Sequence, residues 1–233
     1  MAVRSVSISP QVAARLIVVA LLVLIGVGTL AALGAYQLSA TAPAWWRTVD
    51  ATDPATVALA ERTEQAVASA LHRKRELGEP WTVAISAPQA NAWMNVMLPR
   101  WLANRDVERP AWTSEVQLHF EDGHIAAGAM VTDARGRERY VTLQAEPIVD
   151  SGGAVWLRPA GATVGRLQAP LRWTFEELER RATPETGALV AGLMGREPVA
   201  PEASVELGDG RIVRVVGARV REGRLLVTCV TER

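Results

Sequence analysis

An uncharged apolar run near the N-terminus dominates the pattern of hydrophobic and polar positions. Leu16 to Leu38 contains 23 residues and no charged side chain. In an α-helix this run would measure roughly 34 Å, which exceeds a hydrocarbon core of about 30 Å. A cleaved signal peptide has a shorter apolar region, and Pro43 follows directly after the small residues that could form a cleavage site. The pattern therefore predicts a retained, single-pass signal-anchor.

The charges that flank this run predict its orientation. Arg4 and Arg15 precede it without an acidic residue, so the positive-inside rule places the N-terminus in the cytoplasm. We expect a cytoplasmic tail of residues 1–15, a transmembrane helix of residues 16–38 and an extracytoplasmic remainder. The aromatic residues near the outer end suit a headgroup belt; they are Tyr36, Trp45 and Trp46.

Helical periodicity returns after a linker of residues 39–52. Asp53 and Pro54 predict the start of a helix that runs to about Leu77. Ser86 and Gln89 form the capping box of a second helix, which Pro99 should kink or end. Its predicted apolar face consists of Ala90, Trp93, Met94, Met97, Leu98, Trp101 and Leu102. A third helical region is predicted from Trp173 to Met194, with a break near Thr183 and Pro184.

The period changes to two after Pro110. Hairpin signals at Asp122-Gly123 and at Ser151 to Gly153 indicate a four-stranded antiparallel meander that ends near Ala160. An earlier strand is predicted at Trp81 to Ile85, and three short strands follow Pro201. The predicted fold class is α+β, with one extracytoplasmic domain, residues 53–233, in which a curved antiparallel sheet packs on helices.

Charge and cysteine content restrict the function. Basic and acidic residues number 25 each and are interspersed, so no basic surface for nucleic acid is expected. Cys229 is the single cysteine, which excludes an intramolecular disulfide and a thiolate zinc site. Its apolar neighbours predict a small buried hydrophobe.

The motifs of common catalytic sites do not occur in the sequence. It has no glycine-rich phosphate loop, no G-x-S-x-G and no H-E-x-x-H. His119 and His124 flank a hairpin with Glu121 and Asp122; a divalent metal site is one interpretation, but a solvated polar hairpin needs no metal and is favoured. We predict no catalytic, metal or cofactor residue and a non-enzymatic protein.

Tryptophan is the most frequent aromatic residue, with eight copies. One interpretation is that these rings fill the core, with each indole N–H donating to the backbone. The other is an apolar groove, because Trp156 lies on the strand face opposite Val155 and Leu157 and a sheet that is apolar on both faces needs a cover. The candidate ligand-binding residues are Trp93, Trp101, Trp156 and Trp173.

Three phrases resemble the YpmS-like family of uncharacterised bacterial single-pass membrane proteins. They are VAISAPQANAWMNVMLPRW, VQLHFEDGHIAAGAMV and VGRLQAP, which begin at Val83, Val116 and Val164. The resemblance implies a helix on a curved sheet, a layout similar to that of tubular lipid-binding domains. By analogy it implies an apolar ligand site. It implies no catalytic residue.

These observations predict a bacterial envelope protein at the cell membrane, whose outer domain binds a lipid or another apolar ligand. The alternative is a structural or assembly protein that contacts other envelope proteins without a small-molecule ligand. The expected partners are the lipid bilayer and such a ligand or protein, and no nucleic acid.

Overall fold

The computed structural model describes the backbone of residues 10–104, 113–132, 136–181 and 187–233. Within these ranges it describes the side chains from residue 24 onward, apart from those of residues 113–114, 181 and 189. The helices are α1 Pro10–Ala40, α2 Pro54–His72, α3 Ala87–Ala103, α4 Leu171–Arg181 and α5 Gly187–Leu193. The strands are β1 Trp81–Ser86, β2 Thr113–Glu121, β3 His124–Thr132, β4 Glu138–Val149, β5 Val155–Val164, β6 Leu167–Ala169, β7 Ser204–Glu206, β8 Ile212–Arg221 and β9 Arg224–Glu232.

The fold is α+β with curled antiparallel sheet, as predicted, and the strands divide into two sheets. The predicted meander is present as a five-stranded sheet in the order β2-β3-β4-β5-β6, to which the short strand β6 adds an edge. The last three strands form a four-stranded sheet in the order β1-β9-β8-β7. The early strand β1 therefore pairs with the end of the chain, with Trp81 opposite Cys229.

The four-stranded sheet closes one end of the five-stranded sheet. The N–H of Gly123, in the β2–β3 turn, donates to the Val220 carbonyl of β8 over 3.1 Å. The backbone N–H of Glu222 donates to the Asp122 carboxylate over 2.9 Å. Strand β8 also contacts β4 near the turn at Gly153. We call this end, with the β2–β3 and β4–β5 turns, the far end, and the opposite end, next to the C-terminus of α1, the α1 end.

Helices α2 and α3 pack on each other through small side chains. Ala60 of α2 and Ala92 and Val96 of α3 form a buried cluster. The predicted face of α3 is therefore displaced, because Trp93 is only half-buried whereas Ala92 and Val96 are buried. Small side chains let the two helix axes approach closely, which the positions of the large apolar residues alone do not indicate.

One predicted helix end is wrong, and in a second helix Pro99 does not end the helix. Helix α2 ends at His72 rather than near Leu77, with Arg73 as its C-cap. Helix α3 continues through Pro99 to Ala103, because the packing of its preceding turns on α2 and β2 stabilises a helix that proline weakens. The predicted break near Thr183 and Pro184 falls in residues 182–186, which lie outside the described residues, between α4 and α5.

Among the described residues, helix α1 contacts β4 and β6, and the side chains that contact Arg139 of β4 lie at its C-terminal end. Its described side chains from Leu24 to Leu38 are almost all exposed. The first part of the predicted span, residues 16–23, lies outside the residues whose side chains are described. Within the described part of the chain, no helix has both the length and the apolar character needed to cross a membrane.

Candidate functional site

The polar face of the five-stranded sheet is covered by the segment of residues 41–49. The side chain of Gln117, on β2, is 1% exposed. Its Oε1 accepts from the backbone N–H of Arg47 over 3.1 Å, and its Nε2 donates to the Arg47 carbonyl. The Glu115 carboxylate accepts from the N–H of Val49 over 3.1 Å. The sequence predicted a linker here, but these polar side chains bind its backbone firmly to the sheet.

Two adjacent tryptophans complete this cover. Trp46 is 7% exposed, and its ring meets Tyr140 edge-on at 5.0 Å between centroids. Trp45 stacks on His119 at 5.3 Å. Both rings lie over Gly128, where an added Cβ would stand 2.8 Å from each. The prediction that Trp46 faces a headgroup layer is therefore wrong, because the ring is buried against the sheet.

Helix α3 protects the edge of the same sheet. Asn91 and Asn95 lie one turn apart, and their Nδ2 atoms donate to the carbonyls of Leu118 and Val116 over 2.9 and 3.1 Å. These bonds satisfy backbone groups that an edge strand would otherwise expose. In the sequence, Asn91 and Asn95 are two amides spaced by four within an otherwise apolar helix. This spacing places both on one helix face and indicates that they point toward another part of the protein.

The opposite face of the five-stranded sheet is mostly apolar, with Arg139 beside Val131 at its α1 end. It contains Val116, Leu118 and Phe120 of β2, Ile125, Ala127, Ala129 and Val131 of β3, Val141, Leu143 and Ala145 of β4, and Ala162 and Val164 of β5. Helix α3 lies at the β2 edge, and α4 and α5 contact β5 near the other edge. We call this face, flanked by α3 and by α4 and α5, the apolar groove.

Burial along the apolar groove differs between its two ends. Phe120 and Ala145, near the far end where β8 crosses, are 3% and 8% exposed. Toward the α1 end, Ala129, Val131 and Val141 are only half-buried. Among the described residues, the clusters of buried hydrophobic side chains lie in the four-stranded sheet and between α2 and α3, and none includes the α1 end of this face. The side chains at the α1 end of the groove are therefore more accessible than Phe120 and Ala145, although they are still partly covered.

A cleft of about 940 Å³ lies beside the β2 edge. Residues of the 45–56 segment, the first turn of α3 and β2 line it. Its polar side chains already have partners within the chain: Asp50 accepts from Thr52, Asp53 accepts from Thr56, and Gln117 binds Arg47. Because these groups are satisfied, the cleft offers few groups to a ligand, and we favour the apolar groove as the site.

The four tryptophans proposed as ligand-binding residues do not line this cleft. Trp93 is half-buried and Trp101 is 44% exposed, both on α3 beside β2. Trp156 lies three strands away on β5, where its Nε1 donates to Asp150 over 2.9 Å. Trp173, on α4, is 56% exposed. The structure thus places two on each flank of the five-stranded sheet rather than in one cluster. Trp112 lies outside the described residues.

The other residues considered for chemistry have local partners. His119 stacks on Trp45 and lies 3.8 Å from the Glu121 carboxylate. No group of three metal-ligating side chains occurs in the part of the chain that the structure describes. Cys229 is buried as predicted, and burial raises the pKa of its thiol, which the positive charge of Arg75 opposes only in part.

Comparison with known proteins identifies no family. No family model matches the chain. No curated protein matches it either. A solved structure of a lipopolysaccharide binding protein is similar at 10% sequence identity with a TM-score of 0.20. The match covers 65% of this chain and 40% of that one. A likeness this distant indicates neither fold nor function, so both follow from the residues described above.

Proposed function

We propose that this chain is a non-enzymatic protein of the bacterial cell envelope, held at the membrane by the N-terminal apolar run, whose outer domain binds the acyl chains of a lipid in the apolar groove. The lipid would enter at the α1 end, where the groove is half-buried, and its chains would extend toward the far end, which β8 covers. The resemblance of three sequence phrases to YpmS-like proteins agrees with this proposal. That resemblance rests on the sequence alone.

The burial difference along the apolar groove carries the proposal. An apolar sheet face in water is unfavourable by roughly 25 cal/mol per Å² of exposed apolar surface. Covering Ala129, Val131 and Val141 with an acyl chain would recover this free energy without any specific polar contact. The side chains of these residues offer no hydrogen-bonding group, so an apolar ligand matches the groove better than a polar metabolite does.

A second candidate function is contact with another envelope protein through the edge strand β7. Val205 of β7 is 50% exposed, and the neighbouring Ile212 and Val216 of β8 are exposed as well. An exposed apolar edge can pair with a strand from a partner. Strand β7 has only three residues, which offers few backbone hydrogen bonds, so we favour lipid binding.

Photocrosslinking tests the proposal with the full chain in proteoliposomes. A phosphatidylethanolamine that carries a diazirine near the end of one acyl chain should label peptides of β3 and β4 in addition to α1. Labelling of α1 alone would contradict the groove and leave the anchor in place. Failure to remain with the vesicles after alkaline washing would contradict the anchor.

Replacing one of two alanines by phenylalanine distinguishes lipid binding in the groove from labelling of other strand surfaces. Ala129→Phe places a ring in the half-buried part of the groove and should reduce labelling of β3 and β4 several-fold. Ala84→Phe adds the same ring at an exposed position of β1 and should leave labelling unchanged. Thermal unfolding of both variants checks that the domain remains folded.

A further inference from the structure

Three arginines, two around the start of β4 and one in the β5–β6 turn, converge on the C-terminal end of α1. Arg137 and Arg139 follow the β3–β4 turn, and Arg166 lies in the β5–β6 turn. The Arg139 guanidinium lies 4.9 Å from the centroid of the Tyr36 ring and donates to the Ser39 hydroxyl over 3.2 Å. We call these three residues the arginine collar.

Backbone contacts hold the collar against the helix end. The N–H of Arg166 donates to the Leu38 carbonyl over 2.9 Å, and its Nε donates to the Ala42 carbonyl over 3.0 Å. Gly165 precedes it with φ +60°, and a Cβ there would collide with the Leu38 carbonyl oxygen. The position of the collar relative to α1 is therefore fixed by close packing rather than by long flexible side chains alone.

The charges of Arg139 and Arg166 are not neutralised by a carboxylate within the described chain. Arg139 and Arg166 form no ion pair with a described carboxylate, and their partners are a hydroxyl, a carbonyl and an aromatic ring. The carbonyls at the C-terminus of α1 carry only partial negative charge. The guanidinium groups of Arg139 and Arg166 each have five N–H donors, so several remain for an external acceptor.

We propose that the arginine collar binds the phosphate groups of anionic phospholipids at the outer surface of the membrane. The proposal rests on the membrane anchoring of α1 proposed above. The exposed apolar side chains of Leu30 and Leu33 lie one to two turns before Tyr36, so an inserted α1 brings the collar to the headgroup layer. Guanidinium groups bind phosphate oxygens in a bidentate manner.

The collar then sets how the domain faces the bilayer. The start of β4 and the β5–β6 turn would rest on the headgroups, and the far end with the four-stranded sheet would point away. The half-buried part of the apolar groove lies at this same α1 end, so the collar would hold the groove next to its source of lipid.

Native mass spectrometry of the full chain tests the collar. The protein is equilibrated in mixed micelles with equal amounts of phosphatidylglycerol and phosphatidylcholine, and the retained lipids are counted. Each arginine near an anionic surface contributes roughly a fivefold preference. The wild-type chain should retain phosphatidylglycerol over phosphatidylcholine by at least about fivefold, and Arg139→Gln combined with Arg166→Gln should reduce the ratio toward one.

A matched pair of arginines provides the control. Arg219→Gln combined with Arg224→Gln removes the same charge from exposed positions on β8 and β9 and should keep the wild-type ratio. A wild-type ratio near one, or an unchanged ratio in the collar variant, overturns the proposal. If the collar variant does not fold, raising the salt to about 0.5 M must lower the wild-type preference. In the proteoliposome experiment, loss of vesicle association would contradict the anchor and not the collar. Absence of crosslinks to β3 and β4 in the same experiment would contradict only the proposal that the groove binds lipid.

Discussion

The side chain of Asn91 and the backbone of Leu118 exchange two hydrogen bonds. The Leu118 N–H donates to the Asn91 Oδ1 over 2.6 Å, and the Asn91 Nδ2 donates to the Leu118 carbonyl over 2.9 Å. A carboxamide thus occupies the place that a neighbouring strand would take beside β2. Its effect is to attach α3 to the sheet edge at a defined register.

Asn91→Ala should therefore destabilise the domain by about 1–3 kcal/mol, because it leaves two partly buried backbone groups without partners. Urea unfolding measures this loss. Asn104→Ala, at the exposed C-cap of the same helix, should change the free energy of unfolding by less than about 0.5 kcal/mol. Equal effects at the two positions would show that the exchange with Leu118 contributes nothing.

Gly128→Ala should displace the tryptophan pair, because its Cβ would stand 2.8 Å from both rings. We expect a loss of about 1–3 kcal/mol in unfolding free energy and faster proteolytic cleavage within residues 41–52. Gly217→Ala is the control, since a Cβ there meets Thr228 at an ordinary 3.5 Å. Cleavage at the wild-type rate in Gly128→Ala would contradict the close approach.

Asp150 should contribute to the acid sensitivity of the protein. Its carboxylate accepts from the Trp156 indole N–H, and also from the N–H groups of Ala154 and Gly152, and these bonds lower the pKa of Asp150. A lowered folded-state pKa stabilises the domain above the unfolded pKa of about 3.9, and this contribution disappears as the pH falls through the folded-state pKa.

The Asp150→Asn variant should consequently lose less stability than the wild-type chain between pH 6 and about pH 3. Urea unfolding across this range gives the comparison. Glu64→Gln, at an exposed position of α2, is the matched control for the removal of one carboxylate. A wild-type dependence in Asp150→Asn would show that the bond to Trp156 is too weak to affect folding.

Cys229 should react with a thiol reagent only when the domain opens. The side chain is buried beside Trp81, and burial raises the pKa of its thiol, so little reactive thiolate is present at neutral pH. Ser151→Cys adds an exposed thiol in the β4–β5 turn. We expect the thiol introduced at position 151 to react at once. We expect the Cys229 thiol to react at the rate at which the domain unfolds. Absorbance of the released reagent follows both reactions. Immediate reaction of both would contradict the burial.

The local elements could be predicted because their signals are local. Alternation and the turns at Asp122-Gly123 and Ser151 to Gly153 predicted the hairpins, which the structure confirms. The capping interaction between Ser86 and Gln89 is also confirmed, with the Ser86 N–H donating to Gln89 Oε1 over 2.9 Å.

The long-range contacts could not be predicted in the same way. From the sequence, Gln117 is expected to face solvent, because the residues next to it in the chain do not indicate that residues 41–49 fold back over β2. Likewise Arg139 and Arg166 are ordinary surface residues in sequence, and only the sheet topology brings them to one helix end. The tertiary packing that joins distant segments determines both arrangements.

The pairing of β1 with β9 imposes an order on the assembly of this chain. Trp81 donates its indole N–H to the Thr231 hydroxyl, 150 residues later, and β9 lies between β1 and β8 in its sheet. The hairpins of the five-stranded sheet can form as soon as they emerge from the ribosome, whereas β1 must wait for β9. Because closure of such long loops slows folding, β1 remains an unpaired strand until β9 has been made, and a chain that stops before Arg224 can never supply its partner.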